Sequence, residues 1–147
     1  MKTAVFANSK GGVGKSTIAL LASLSLATRY NRAKVELIDL DPQATTSDSL
    51  SRFANHRFNV VNNEEFSLGS ATPNNSRIIS HLESISSDNL SECYSILDCP
   101  AGNEPQKSTF LLHSNIIFIP TSVSDADVFA TKKYISSLIE LFDSNIE

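Results

Sequence analysis

The sequence predicts an α/β fold, a mostly parallel sheet with helices on both faces. Three observations carry that reading. Short apolar runs alternate with helix-periodic runs along the chain. Three of the five glycines, Gly11, Gly12 and Gly14, separate the first apolar run from the first helical one. Two later apolar runs end in aspartates followed by a proline, at Asp39 to Pro42 and at Asp98 to Pro100.

Thr3 to Asn8 reads as a buried strand, Ser9 to Thr17 as a glycine-rich turn, and the run to about Arg29 as a helix. Ile18, Leu21, Ala22 and Leu26 fall on one helical face. Val35 to Asp41 is a second strand, stopped by Pro42, which has no N–H to give a ladder. Period-two alternation puts Asp39 and Asp41 on one side and Leu40 on the other. Asp41 to about Ala54 predicts a turn and a helix, with Thr45, Thr46 and Ser47 as caps and Leu50 and Phe53 as a short apolar face. Phe58 to Val61 is a short strand, and the polar stretch 62–75 is mostly loop. Ile78, Ile79, Leu82 and Ile85 mark an amphipathic helix. Tyr94 to Asp98 is the next strand, Pro105 to His113 a helix, and Asn115 to Ile119 a strand ending at Pro120. Asp125 to Phe142 closes the chain as a helix, with Val128, Ile135, Leu138, Ile139 and Phe142 as its expected buried stripe.

Composition excludes several classes. At 147 residues, one domain with a sizeable core is expected. The 41% apolar and 19% charged content is that of a globular protein, not of a disordered tail. Twelve Lys and Arg against sixteen Asp and Glu leave a net charge of −4, which argues against nucleic-acid binding by bulk charge but leaves a local basic patch open. The apolar run Ile18 to Ala27 is interrupted by Ser23 and Ser25 and falls short of the roughly 20 residues of a transmembrane helix. The first apolar stretch is too short for a signal peptide. Cys93 and Cys99 form no CxxC pair, which suits a reducing cytoplasm, and they read as small buried residues. His56, His81 and His113 lack metal-ligand spacing and read as surface or half-buried.

Strand, glycine-rich turn and helix N-terminus in that order form the context of a phosphate-binding loop. Glycines let backbone N–H groups converge on phosphate oxygens, and the helix N-terminus adds partial positive charge. Lys15 can reach terminal phosphates, and the Ser16 hydroxyl is placed to ligate Mg²⁺. Asp98 at the end of an apolar strand is a Walker B arrangement, its carboxylate holding Mg²⁺ directly or through water. Alone, such an aspartate is more often a cap or turn residue; the company of the glycine-rich loop and of the Asp39 to Gln43 run, in that order, assigns it to the metal. Gly102 gives a permissive turn that can follow a γ-phosphate.

The standard pattern G-x-x-x-x-G-K-[ST] would place glycine at position 9, where this chain has Ser9, and Lys10 precedes the glycine pair. KGGVGKST resembles the deviant Walker A motif of the ParA/MinD family of ATPases. DLDPQ, Asp39 to Gln43, resembles the family's second motif, and DCPAG, Asp98 to Gly102, its switch II. The resemblance implies a P-loop NTPase-like sheet that takes ATP and Mg²⁺. It assigns nucleotide contacts to Lys10, Gly11, Gly12, Val13, Gly14, Lys15, Ser16 and Thr17. Lys10 would reach across a nucleotide-sandwich dimer to the partner's ATP, Lys15 would serve its own, and Asp41 would orient or activate the attacking water. Ser16 and Asp98 would hold Mg²⁺, assisted by Asp39. Thr121 to Thr131 resembles the family's P-S-x-x-D-x-x-x-T segment through Ser124, Asp127 and Thr131, with Val123 where proline is usual.

The resemblance covers almost the whole chain, while the family continues with at least one further strand, which contributes to adenine recognition, and with C-terminal helices. The expectation is therefore a single ParA-like nucleotide-binding domain over 1–147, with the C-terminal portion of the family fold absent. The implied role is a slow ATPase that drives plasmid or chromosome partition in a bacterial cytoplasm, associated with the nucleoid. Its implied partners are a second copy of itself, nonspecific DNA and a centromere-binding protein, with no membrane. Two alternatives stay open. One is a nucleotide-binding module without productive dimerisation or turnover. The other is a MinD-like membrane-site positioning ATPase, which Asp125, Asp127, Glu140 and Asp143 beside Lys132 and Lys133 fit poorly.

Overall fold

In the computed structural model, five parallel strands among the described residues form one sheet in the order β3-β2-β4-β1-β5. They are β1 (Lys2–Phe6), β2 (Lys34–Asp39), β3 (Phe58–Val61), β4 (Cys93–Asp98) and β5 (Ile116–Phe118). The structure describes every residue except 31–32, 44–45, 48–50, 56, 68–72, 87–91 and 147. Register sets the functional geometry: Phe6 and Asp39 both lie level with Asp98, so β1, β4 and β2 end together. Ligands of open parallel sheets bind beyond such carboxyl ends.

Strand residues alternate between two apolar layers. Phe6, Val35, Leu37, Phe58 and Ile96 pack with Ala19 of α1 (Lys15–Arg29) on one face. Val5, Ile38, Val61 and Leu97 pack on the other with Ile78 and Leu82 of α2 (Asn75–Ser86) and Tyr134 and Leu141 of α3 (Asp125–Asp143). Leu37, Ile38 and Leu97 are completely buried, each contributing about 1.5–3 kcal/mol of transfer free energy. The predicted sheet with helices on both faces is what forms.

The helices differ from expectation in which face they bury. In α1 Ala19 and Ser23 are completely buried and Ala22 and Leu26 partly so, while Ile18 and Leu21 are 43% and 60% exposed. Small side chains let the helix axis come near the sheet, and the Ser23 hydroxyl donates to its own turn, at the Ala19 carbonyl (2.8 Å). In α3 the buried positions are Thr131, Tyr134 and Leu141, with Leu138 partly covered; Val128, Ile135 and Ile139 face out. This helix carries apolar residues on two sides, and packing on the segment Pro105–Lys107 selects one. Pro105 to His113 is not an α-helix but two 3₁₀ segments, Pro105–Lys107 and Thr109–His113. Ser108 separates them with φ −126° and ψ 60°, outside the helical region.

Other expectations meet the structure directly. Phe58–Val61 is a strand as predicted, and Asn63–Glu65 adds a 3₁₀ turn within the 62–75 stretch. The helix expected through Leu50 falls largely outside the described residues; Ser51–Phe53 is a 3₁₀ turn. Cys93 and Cys99 are buried, and neither is in a disulfide. His113 is exposed, His81 is half-buried against Glu36 (2.8 Å), and His56 lies outside the described residues. No described helix is long and apolar enough to cross a membrane.

A buried polar chain joins α3 to the turn after β4. Tyr134 Oη donates to Asn103 Oδ1 (2.6 Å), and Asn103 Nδ2 donates to Ser108 Oγ (2.8 Å). Burial of Tyr134 pushes its phenol well above the usual range, so it stays a donor. Tyr134→Phe leaves Asn103 Oδ1 without that donor in a buried site. We expect a loss of about 1–3 kcal/mol, read as a lower urea midpoint at unchanged m-value.

Candidate nucleotide site

The turn after β1 leads into α1 with two glycines in left-handed backbone, Gly12 at φ 73° and Gly14 at φ 89°. An L side chain is strained there, which is why the loop needs glycine at these positions. Gly14 is the N-cap of α1 and offers no side-chain cap, so the first-turn N–H groups have no side-chain acceptor from it. Gly11, Gly12, Gly14, Lys15, Ser16 and Thr17 line a cavity of about 280 Å³ with Asp41, Cys99 and Ala101. Donors, a cation and a helix N-terminus around one small cavity make an anion site.

Asn8 holds the start of this loop. It is completely buried; its Oδ1 accepts the Lys10 N–H (3.1 Å), and its Nδ2 donates to the Pro120 carbonyl and Thr131 Oγ1 (2.9 Å each). The Gly102 N–H donates to the Ser9 carbonyl (2.8 Å), seating the turn after β4 on the same loop. Lys15 is 6% exposed and its ammonium donates to the Lys10 carbonyl (2.8 Å). Burial lowers its pKa, against the pull of Asp98 and Asp41.

Asp98 ends β4 beside this loop. It is fully buried; Thr46 Oγ1 donates to its Oδ2 at 3.4 Å, and its Oδ1 has no partner. Burial raises its pKa from an ordinary 3.8 to about 6; the Ser16 hydroxyl opposes the rise, Asp39 adds to it, and Lys15 opposes it. An orphaned, buried carboxylate oxygen beside a hydroxyl suits a hard cation. Among the described residues no cluster of three or more His, Cys, Asp or Glu stands ready to hold a metal. That donor set fits Mg²⁺, which keeps waters and takes phosphate oxygens in place of an all-protein cage.

The structure brings Lys15, Ser16, Asp41 and Asp98 together. Asp41 lines the cavity, and its Oδ1 accepts the Gln43 N–H (2.9 Å). Lys10 lies apart: its ammonium pairs with Asp127 Oδ1 of α3 at 3.2 Å, and Ser122 Oγ donates to the other oxygen of that carboxylate. Val13 is half-buried and outside the cavity lining. Asp39 is fully buried, with Oδ1 accepting the Asp41 N–H (3.1 Å) and Oδ2 the Ser47 N–H (2.8 Å). Burial of Cys99 pushes its thiol well up, so it lines the cavity as an inert wall. Sequence reasoning missed Asn8 and Asn103 and gave Thr46 only a capping role. A buried amide at a strand end was the one available signal for Asn8.

A family model described as AAA domain, AAA_31, matches residues 1–93. The chain belongs to that family. A curated relative of this AAA domain, the virulence plasmid ParA family protein pGP5-D of Chlamydia psittaci, is 48% identical over 50 residues. That stretch is 34% of this chain and 19% of the relative's length. The fold is shared with apo McdA of Cyanothece at TM-score 0.75 and 20% identity, over 99% of this chain and 68% of that one. An McdA–ATP complex superposes at TM-score 0.65 with 22% identity, covering 96% of this chain and 65% of the other. pNOB8 ParA bound to nonspecific DNA superposes at 0.67 with 18% identity, covering 95% and 60%. This AAA domain thus shares the fold of McdA and ParA proteins, in keeping with the resemblance its loop motifs carry.

In the nucleotide-free AAA domain Asp98 opposes folding at neutral pH. Its folded pKa lies above the ordinary one, so the stability it lends is present below about pH 3.8 and is lost as pH rises through about 6. That shift amounts to roughly 2–3 kcal/mol. Asp98→Asn is expected to raise the melting temperature of the nucleotide-free protein at pH 8 by roughly 6–10 °C. It should leave the value at pH 4 little changed and remove the Mg²⁺ dependence of nucleotide binding. Calorimetry at the two pH values checks the sign.

Proposed function

We propose that residues 1–147 act as one nucleotide-binding domain that binds ATP with Mg²⁺ and hydrolyses it slowly. The nucleotide switches the chain between a monomer and an ATP-sandwich dimer that serves plasmid or chromosome partition. The observation that carries this reading is the convergence of Lys15, Ser16 and Asp41 on one glycine-walled cavity, with the buried Asp98 carboxylate beside Lys15 and Ser16. The ParA family relative supports the partition role, and the McdA–ATP complex supports the choice of nucleotide.

In this reading the loop N–H groups and Lys15 bind the phosphate chain and fix its orientation. Ser16 and Asp98 would hold Mg²⁺, which when bound neutralises charge on the phosphate oxygens. Asp41 accepts a hydrogen bond from the attacking water and aims it at the terminal phosphorus. Lys10 supplies positive charge to the nucleotide of a second copy. Positioning and charge stabilisation then carry most of the rate enhancement. Turnover is slow without a stimulating partner, a centromere-binding protein, and the ATP dimer binds DNA without sequence preference inside a bacterial cell.

Sedimentation velocity with Mg²⁺ and either ATP or ADP tests this. A dimer with ATP alone supports the switch. Bound nucleotide with a monomer in both states would favour a nucleotide-binding module without dimerisation.

A further inference from the structure

We propose that Asp39 is a positioning residue: it holds Asp41 and Ser47, the two flanks of the segment after β2, and thereby sets where Asp41 stands at the phosphate cavity and Thr46 against Asp98. Asp39 ends β2 level with Asp98 and is fully buried. Its two oxygens accept backbone N–H groups from residues two and eight positions ahead, Asp41 at 3.1 Å and Ser47 at 2.8 Å. Charge-assisted bonds of this kind are about twice as strong as neutral ones. Between the anchors, Asp41 Oδ1 takes the Gln43 N–H, and the Thr46 hydroxyl rests on Asp98 Oδ2. One carboxylate therefore ties the segment to the sheet end on which Ser16 and Asp98 meet.

The same geometry separates this role from metal ligation. The unpartnered oxygen on this edge belongs to Asp98, whereas both oxygens of Asp39 are engaged by backbone donors. Two carboxylates side by side at a buried sheet end repel, as Asp39 and Asp98 do. The N–H groups of Asp41 and Ser47 offset that repulsion, and they do so only while the segment is docked. Period-two alternation places Asp39 on the same side as Asp41, and the family resemblance implies that Asp39 assists the metal; the hydrogen bonds give it an anchoring role instead.

The catalytic consequence rests on the ATPase reading above, while the anchoring itself does not. Amide hydrogen exchange by NMR on the full nucleotide-free chain therefore comes first. Asp41 and Ser47 amides should be protected in the wild type, and fast exchange there overturns the proposal. In Asp39→Asn, which keeps one acceptor oxygen, and in Asp39→Ala, exchange at these amides should rise about tenfold or more, with α2 amides unchanged. Unchanged exchange at both amides also overturns it. If Asp39→Ala does not fold, Asp39→Asn decides.

The second arm measures ATP binding and turnover as Mg²⁺ is varied. A positioning role lowers kcat about tenfold or more while KM and the Mg²⁺ half-saturation stay within about twofold. A Mg²⁺ half-saturation that rises about tenfold with the segment still protected would make Asp39 a metal residue instead. If the wild type binds no ATP, the ATPase reading fails and the exchange arm still decides the anchor.

Discussion

Lys15→Ala loses ATP binding by about 100-fold or more, the largest effect expected of any single substitution in this AAA domain. Lys15 is nearly buried, and its ammonium already has a directed hydrogen bond to the Lys10 carbonyl. A phosphate oxygen replaces a neutral carbonyl acceptor with a charged one, and a partly desolvated cation gains more from that exchange than an exposed one. Alanine removes the gain and leaves Asp98 without the cation that opposes its rise in pKa. Titration calorimetry with ATP and Mg²⁺ is the check, with Lys132→Ala on the exposed side of α3 as the control. Affinity retained within threefold by Lys15→Ala would show that the loop is not the phosphate site.

Lys10→Ala is expected to leave monomer nucleotide binding within about threefold and to abolish the ATP-dependent dimer in sedimentation velocity. Asp41→Ala should do the reverse and prolong that dimer, because binding survives while water activation does not. The resting contact of Lys10 decides whether such a role is accessible. Its ammonium sits on Asp127 at 3.2 Å, with the lysine side chain 44% exposed. A pair this open contributes about 0.2–1 kcal/mol, so leaving Asp127 for a second copy's phosphates is a small step. Asp127→Ala should therefore strengthen dimerisation by no more than about fivefold. A dimer that persists in Lys10→Ala would remove the trans role and leave Lys10 as a partner of Asp127 in its own chain.

The nucleotide loop was legible because its signals are local. Gly12 and Gly14 stand where φ is positive, and Lys15 and Ser16 follow at a fixed offset into a helix whose first turn lacks a cap. The strands were legible for a similar reason, since β2, β3 and β4 are short β-branched or aromatic runs bounded by breakers. Helix existence was equally readable, but the buried face was not. Period 3.6 reports that apolar residues lie along a helix, and α1 and α3 each carry them on more than one side. In α3, Thr131 is buried in preference to Ile135 because its hydroxyl answers the Asn8 amide, a residue 123 positions away.

Local chemistry, then, determined the phosphate loop, the order of strands and helices, and the three aspartates at strand ends. Tertiary structure alone decided what each of those aspartates faces. Parallel register put Asp39 and Asp98 side by side, backbone donors from residues 41 and 47 engaged the first, and no donor reached Oδ1 of the second. The physical reason is that a carboxylate's role follows from what it faces. Those neighbours come from strands and loops far apart in the chain, whose meeting depends on packing.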